Sequence, residues 1–124
     1  MNDEEISAEA ILDHYRNPHN YGKLESSNAS FTEFNPICGD TVHIQMTISD
    51  GTIQDARFVG RGCSVSQASA SMLTDLLKGK QAEFLESMTE PKFLGILGIK
   101  VGPAREKCAL LSLTAAKKAL KGSA

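Results

Sequence analysis

Val42-His43-Ile44-Gln45-Met46-Thr47-Ile48-Ser49 runs directly into Asp50-Gly51 and a second extended stretch, Thr52 to Val59. Val42, Ile44, Met46 and Ile48 alternate with His43, Gln45, Thr47 and Ser49, and a period of two puts the four apolar side chains on one face of a strand. Asp-Gly tolerates the positive φ angles of a two-residue hairpin turn. The chain is therefore expected to return antiparallel, with Ala56 and Phe58 pointing inward. Upstream, Phe31 and Phe34 mark a short strand ending at Pro36, and the three runs together predict an antiparallel meander.

Beyond the hairpin the period changes. After Gly60-Arg61-Gly62-Cys63, the residues Val65, Ala68, Met72, Leu73, Leu76 and Leu77 form a helical stripe closed by Lys78-Gly79. A shorter helix is expected over Ala82 to Met88, and a helical turn or two between Pro91 and Leu97. Pro103 suits the first turn of a last helix, which carries Cys108, Leu110, Leu111, Leu113, Ala116 and Leu120 before Gly122 ends it. At the other end, Ser7 is placed to cap a helix whose one face holds Ala8, Ile11, Leu12 and Tyr15, and Asn17-Pro18 stops it. A polar loop from His19 to Asn28 follows. Strands first and helices afterwards predict an α+β fold, a three-stranded antiparallel sheet with helices packed on one face. With no repeat and no Pro/Gly/Ser-rich linker, residues 1–124 are expected to form one domain.

Composition excludes several functions. The 124 residues are 41% hydrophobic and 23% charged with a formal charge of −2, and the pI is near 5.9. That balance offers no clustered basic surface for nucleic acid. No apolar run approaches the roughly 20 residues of a membrane span. The opening Met1-Asn2-Asp3-Glu4-Glu5 is acidic, the reverse of a signal or transit peptide, so a cytoplasmic location is expected.

In that compartment three cysteines are an odd count that does not read as a disulfide framework. Buried inert thiols, a metal site or a reactive thiol are the alternatives. Cys38 lies in Cys38-Gly39-Asp40, where Gly39 allows a turn that brings thiolate and carboxylate toward one ion. Cys63 stands where a glycine-flanked strand end meets a helix start, whose unpartnered N–H groups and partial positive charge favour a thiolate; either Cys63 or Ser64 is the helix cap. Gly60 and Gly62 are expected to leave its sulfur accessible. Cys108 sits early in the last helix, beside Arg105 and Lys107. Three thiolates and the Asp40 carboxylate make a tetrahedral zinc set and equally a four-ligand set for a [2Fe–2S] cluster. Spacing does not choose between them.

The ordered runs His14-Tyr15-Arg16-Asn17-Pro18-His19-Asn20-Tyr21-Gly22, Asn35-Pro36-Ile37-Cys38-Gly39-Asp40, Gly60-Arg61-Gly62-Cys63-Ser64-Val65-Ser66 and Lys107-Cys108-Ala109-Leu110-Leu111 resemble the IscU/SufU family of iron–sulfur scaffolds, to which the N-terminal domain of NifU also belongs. The resemblance implies a metal site at one end of the fold, formed by Cys38, Asp40, Cys63 and Cys108. It implies that a cysteine desulfurase delivers sulfur as persulfide, with Cys108 the first acceptor. It further implies that an iron donor supplies metal, that a [2Fe–2S] cluster forms, and that the cluster passes to apo iron–sulfur proteins. The chain is thus expected to be an assembly scaffold rather than an enzyme, with sulfurtransferase-like activity at most. Whether a loaded cluster sits within one chain or between two copies stays open.

Two departures shape the expectation. The IscU branch has a histidine directly before its last cysteine, and Lys107 stands there in this chain. His14, His19 and His43 are distant in sequence and are not expected to replace it; His43 is read as an outward strand residue, His14 and His19 as part of the N-terminal motif. Arg105-Glu106-Lys107-Cys108-Ala109 resembles instead the SufU branch, where zinc on the same four positions aids sulfur transfer, although the insertion that SufU proteins carry before this cysteine is missing. The Leu-Pro-Pro-Val-Lys stretch that IscU offers to an Hsp70-type chaperone is absent too. Ile99-Lys100-Val101-Gly102-Pro103-Ala104-Arg105 occupies its place, so that partnership is not implied.

Overall fold

The computed structural model describes residues 11–36, 39–98 and 102–122, with only the backbone of Ala104. Three strands, β1 (Ala29–Asn35), β2 (Asp40–Ser49) and β3 (Thr52–Arg61), form one antiparallel sheet in the order β1-β2-β3. The hairpin forms as its sequence demands: Asp50 and Gly51 take φ angles of 52° and 76°, the doubly left-handed turn that matches strand twist. Val42, Ile44 and Met46 are fully buried, as are Ala56 and Ile53, with Phe58 nearly so. Ile53 and Ala56 share the inner face despite their odd spacing because the register shifts between Thr47 and Ile48. Thr47 pairs with Asp55 and Ile48 with Ile53, so Gln54 is skipped. A bulge of this kind flips the parity of everything beyond it.

Residues 11–16 are helical (α1); Ser7 and Ala8 lie outside the described residues. Ile11 is buried, but Leu12 and Tyr15 are close to half exposed, so the expected apolar face of this helix is covered only at Ile11 among the described residues. The later helices are α2 (Ser64–Leu77), α3 (Ala82–Glu86), α4 (Glu90–Leu97) and α5 (Pro103–Lys121). The shorter helix stops at Glu86, earlier than the Met88 limit expected from sequence. α4 starts from Thr89, whose side chain accepts the Lys92 backbone N–H, and ends at left-handed Gly98, the usual pairing of a polar cap and a C-terminal glycine.

Helix α5 packs on β1 and β2, α2 packs on β3, and the two helices meet each other. All the packing helices lie on one sheet face. The core therefore sits between Val42, Ile44, Met46 and Phe58 on the sheet and Leu73, Leu77, Phe93, Leu97, Leu111 and Leu113 on the helices. The outer edge of β3 is not left bare. Phe58 N–H donates to Asn20 O and Gly22 N–H to Phe58 O, while Ile53 exchanges backbone bonds with Lys80 and Gly79, which blocks edge-to-edge pairing there.

Candidate metal centre

Antiparallel pairing puts the start of β2 beside the end of β3: Thr41 pairs with Arg61. Asp40 and Cys63 are therefore delivered to the same end of the sheet by the hairpin itself. Asp40 is the first residue of β2 rather than part of an irregular turn, in register with the inward Val42, Ile44 and Met46, and it is only 2% exposed. Cys63 is the N-cap of α2, with extended backbone (φ −73°, ψ 167°), which settles its position over Ser64. Its amide donates to Asp40 Oδ1 at 3.2 Å and its thiol faces Asp40 Oδ2 at 3.7 Å.

Gly62 makes this approach possible. A Cβ there would lie 2.3 Å from Asp40 Oδ1 and 2.6 Å from its Cγ, and φ is +148°. Gly60 is equally constrained, since its Cβ would meet the Thr41 carbonyl oxygen at 2.4 Å. Both glycines thus serve close packing of backbone and carboxylate, and not the open access to sulfur expected from sequence.

Cys108 completes the convergence from α5. One ligand atom each of Asp40, Cys63 and Cys108 lies within 4.8 Å of the others. Cys108 is 2% exposed, whereas Cys63 is half-buried. Arg105 and Lys107 are exposed. Lys107 lines a neighbouring cleft with Phe34, Pro36, Glu90 and Leu110. Cys38, the fourth expected ligand, lies outside the described residues, as do residues 99–101 in the stretch opposite the chaperone motif.

The donor chemistry fits a thiophilic metal. A carboxylate taken out of water costs several kcal/mol unless a charge, hydrogen bonds or a metal compensates it. Among the described residues Asp40's hydrogen-bond partners are the Cys63 amide and thiol, and no lysine or arginine pairs with it. Two thiols beside this carboxylate, at a helix N-terminus that favours anions by roughly 0.3–2 kcal/mol, form a site that a zinc ion or a metal–sulfur unit would balance.

A second convergence was not anticipated. His14, His19 and Asp75 also bring ligand atoms within 4.8 Å of one another. His19 Nδ1 donates to Asp75 Oδ2, and Asn20 Nδ2 donates to Asp75 Oδ1 at 2.9 Å. Ser71 Oγ accepts the His19 backbone N–H at 2.7 Å and is hydrogen-bonded to His14 Nδ1 at 2.6 Å. Burial, and then the neighbouring His19, hold His14 below its ordinary pKa. Burial pushes the Asp75 carboxyl up, but hydrogen bonds from His19 and Asn20 outweigh it and leave the carboxyl below its ordinary value. Asp75 lies on the polar edge of the helical stripe, and nothing in a linear reading brings it to residues 56 and 61 positions upstream. His43 is hydrogen-bonded to Thr32 on the outer sheet face, as a strand residue of that parity should be.

Fold and site together define an α+β domain with a soft-metal donor set gathered at one end of its sheet. A family model described as the NifU-like N terminal domain matches residues 6–122, and the chain belongs to that family. It is 37% identical to the zinc-dependent sulfurtransferase SufU of Bacillus subtilis, across 89% of this chain and 86% of that protein. It is 34% identical to the iron–sulfur cluster assembly scaffold protein IscU of Streptococcus pyogenes, across 92% and 82%. Among solved structures it resembles an iron–sulfur cluster assembly scaffold of the SUF system from Fervidobacterium islandicum, with a TM-score of 0.77, 26% identity and coverage of 96% and 99%. Among the described residues no helix is long and apolar enough to cross a membrane.

Proposed function

We propose that this chain is an iron–sulfur cluster assembly scaffold of the cytoplasm. It accepts sulfur from a cysteine desulfurase and iron from a donor, builds a [2Fe–2S] cluster on Cys38, Asp40, Cys63 and Cys108, and passes it to apo-proteins. The convergence of Asp40, Cys63 and Cys108 at one sheet end carries this reading. Sulfur enters when the Cys108 thiolate attacks the outer sulfur of the desulfurase persulfide; the S–S bond breaks, the desulfurase thiolate leaves, and the persulfide is on Cys108. Because Cys108 is 2% exposed, this step requires the first turns of α5 to move away from Asp40 and Cys63. The carboxylate gives the cargo its exit: oxygen is a poorer partner than thiolate for an iron–sulfur unit, so exchange starts at Asp40.

Lys107 beside Cys108 favours a second reading, a zinc-dependent sulfur acceptor that stimulates the desulfurase, as the name of the Bacillus relative suggests for that protein. One anaerobic experiment separates the two. Reconstitution with iron, cysteine and a desulfurase is expected to give thiolate-to-iron charge-transfer absorption that Cys63→Ser abolishes, and the native mass of the coloured form tells one chain from two. Protein that stays colourless, yet contains stoichiometric zinc and loses its stimulation of the desulfurase on chelation, would replace the first reading with the second.

A further inference from the structure

We propose that His14, His19 and Asp75 form a second metal site, for a borderline divalent cation of the zinc or ferrous-iron kind. The site is separate from the thiolate end. Asp75 follows Cys63 by 12 residues on the same helix, about 18 Å of helix axis.

Three observations carry it. Two imidazoles and a carboxylate with ligand atoms within 4.8 Å are the donor set that zinc and ferrous iron share, with positions left for water. Two of the three side chains are also held by neighbours of the sort that orient metal ligands. Ser71 fixes the His14 ring, and Asn20 holds one Asp75 oxygen while Lys78 Nζ holds Asn20 Oδ1 at 2.9 Å. Asn20 is itself in the left-handed region, at φ 60°, which places its side chain across Thr74 and Asp75 at once. Finally, a cleft of about 220 Å³ opens beside the triad, bounded by His14, Asp75, Met72, Leu76 and Ile96. Its apolar wall borders the triad on one side, while His19 and Asp75 stay open to solvent and leave room for water on the ion. Loading replaces the direct hydrogen bond between His19 Nδ1 and Asp75 Oδ2 with ligation of both groups to one cation, the remaining imidazole proton residing on Nε2. Once loaded, the ion ties residues 14–19 to α2 without drawing on any thiolate.

The test is a cobalt(II) titration of the full-length, metal-free chain under reducing, anaerobic conditions. Two equivalents are expected, one with thiolate-to-cobalt charge transfer and one with ligand-field bands alone. His19→Ala is expected to remove only the second, and zinc, but not magnesium, to displace cobalt from it. Should His19→Ala misfold, nitrogen NMR of the wild-type imidazoles during zinc titration gives an independent readout: His14 and His19 shift and His43 does not. Loss of charge transfer with the second equivalent intact would count against the thiolate site alone. A single equivalent carrying thiolate bands, or a second one untouched by His19→Ala, overturns the proposal.

Discussion

Gly62 decides how close a carboxylate can come to the start of α2. Its φ of +148° strains any L side chain, and an added Cβ would fall inside van der Waals contact distance of Asp40 Oδ1 and, at 2.8 Å, of Ser66 Oγ. Gly62→Ala must therefore displace Asp40 from the Cys63 amide or bend the backbone. Strain of this kind costs about 1–3 kcal/mol. The expected outcome is a lower urea midpoint with an unchanged slope, together with weaker thiolate-to-cobalt absorption. A Gly62→Ala protein that melts and binds cobalt like the parent would show that Asp40 is not seated where its burial places it. The sequence flagged this glycine for the wrong reason. Access to a sulfur is a guess about one residue, whereas the clash involves a carboxylate 22 positions upstream that only β2–β3 pairing brings near.

At the scale of elements, α2 shows both how far periodicity reaches and where it stops. The stripe Val65, Ala68, Leu73 and Leu77 is buried as its spacing requires, but Met72 and Leu76 are only partly covered. Ser66, Ser69, Ser71 and Thr74 are fully buried in their place. The strands were legible because a one-sided sheet imposes strict alternation. The helix was less so, because it packs against α5, whose buried residues include the small Ser112, Ala115, Ala116 and Ala119, and small residues allow helices to approach closely whatever their polarity. Ser71 and Thr74 meet the His14–Asn20 segment. Among the described residues, however, the Ser69 and Ser112 hydroxyls have no hydrogen-bond partner. An unsatisfied buried hydroxyl costs about 1–3 kcal/mol. Ser69→Ala is thus expected to stabilise the protein by about 1 kcal/mol in urea unfolding, and a clear loss of stability would mean that the hydroxyl is bonded after all.

For the whole molecule, the question is whether metal makes the fold or the fold makes the site. Composition and order pointed to three cysteines and Asp40, but their meeting depends on contacts between residues 40, 63 and 108, and only likeness to a family let the sequence speak for that meeting. The core argues that the fold comes first. Ile44, Met46, Phe58, Leu73, Leu85, Phe93 and Leu113 are buried across sheet and helices; of the donors, Cys108 joins that cluster and Cys63 packs against it, but the bulk of the buried volume comes from these large apolar side chains. A structural zinc module has the opposite design, with a core too small to fold unless metal closes it. Stripped of metal by a strong chelator, this chain is therefore expected to keep a single cooperative urea transition, with a slope of about 1–3 kcal/mol per molar. Metal should raise the midpoint in proportion to the logarithm of its free concentration, as ligand linkage requires. If chelation instead removed the transition altogether, the sheet and helices would be products of the metal site, and the order of cause argued from the core would have to be reversed.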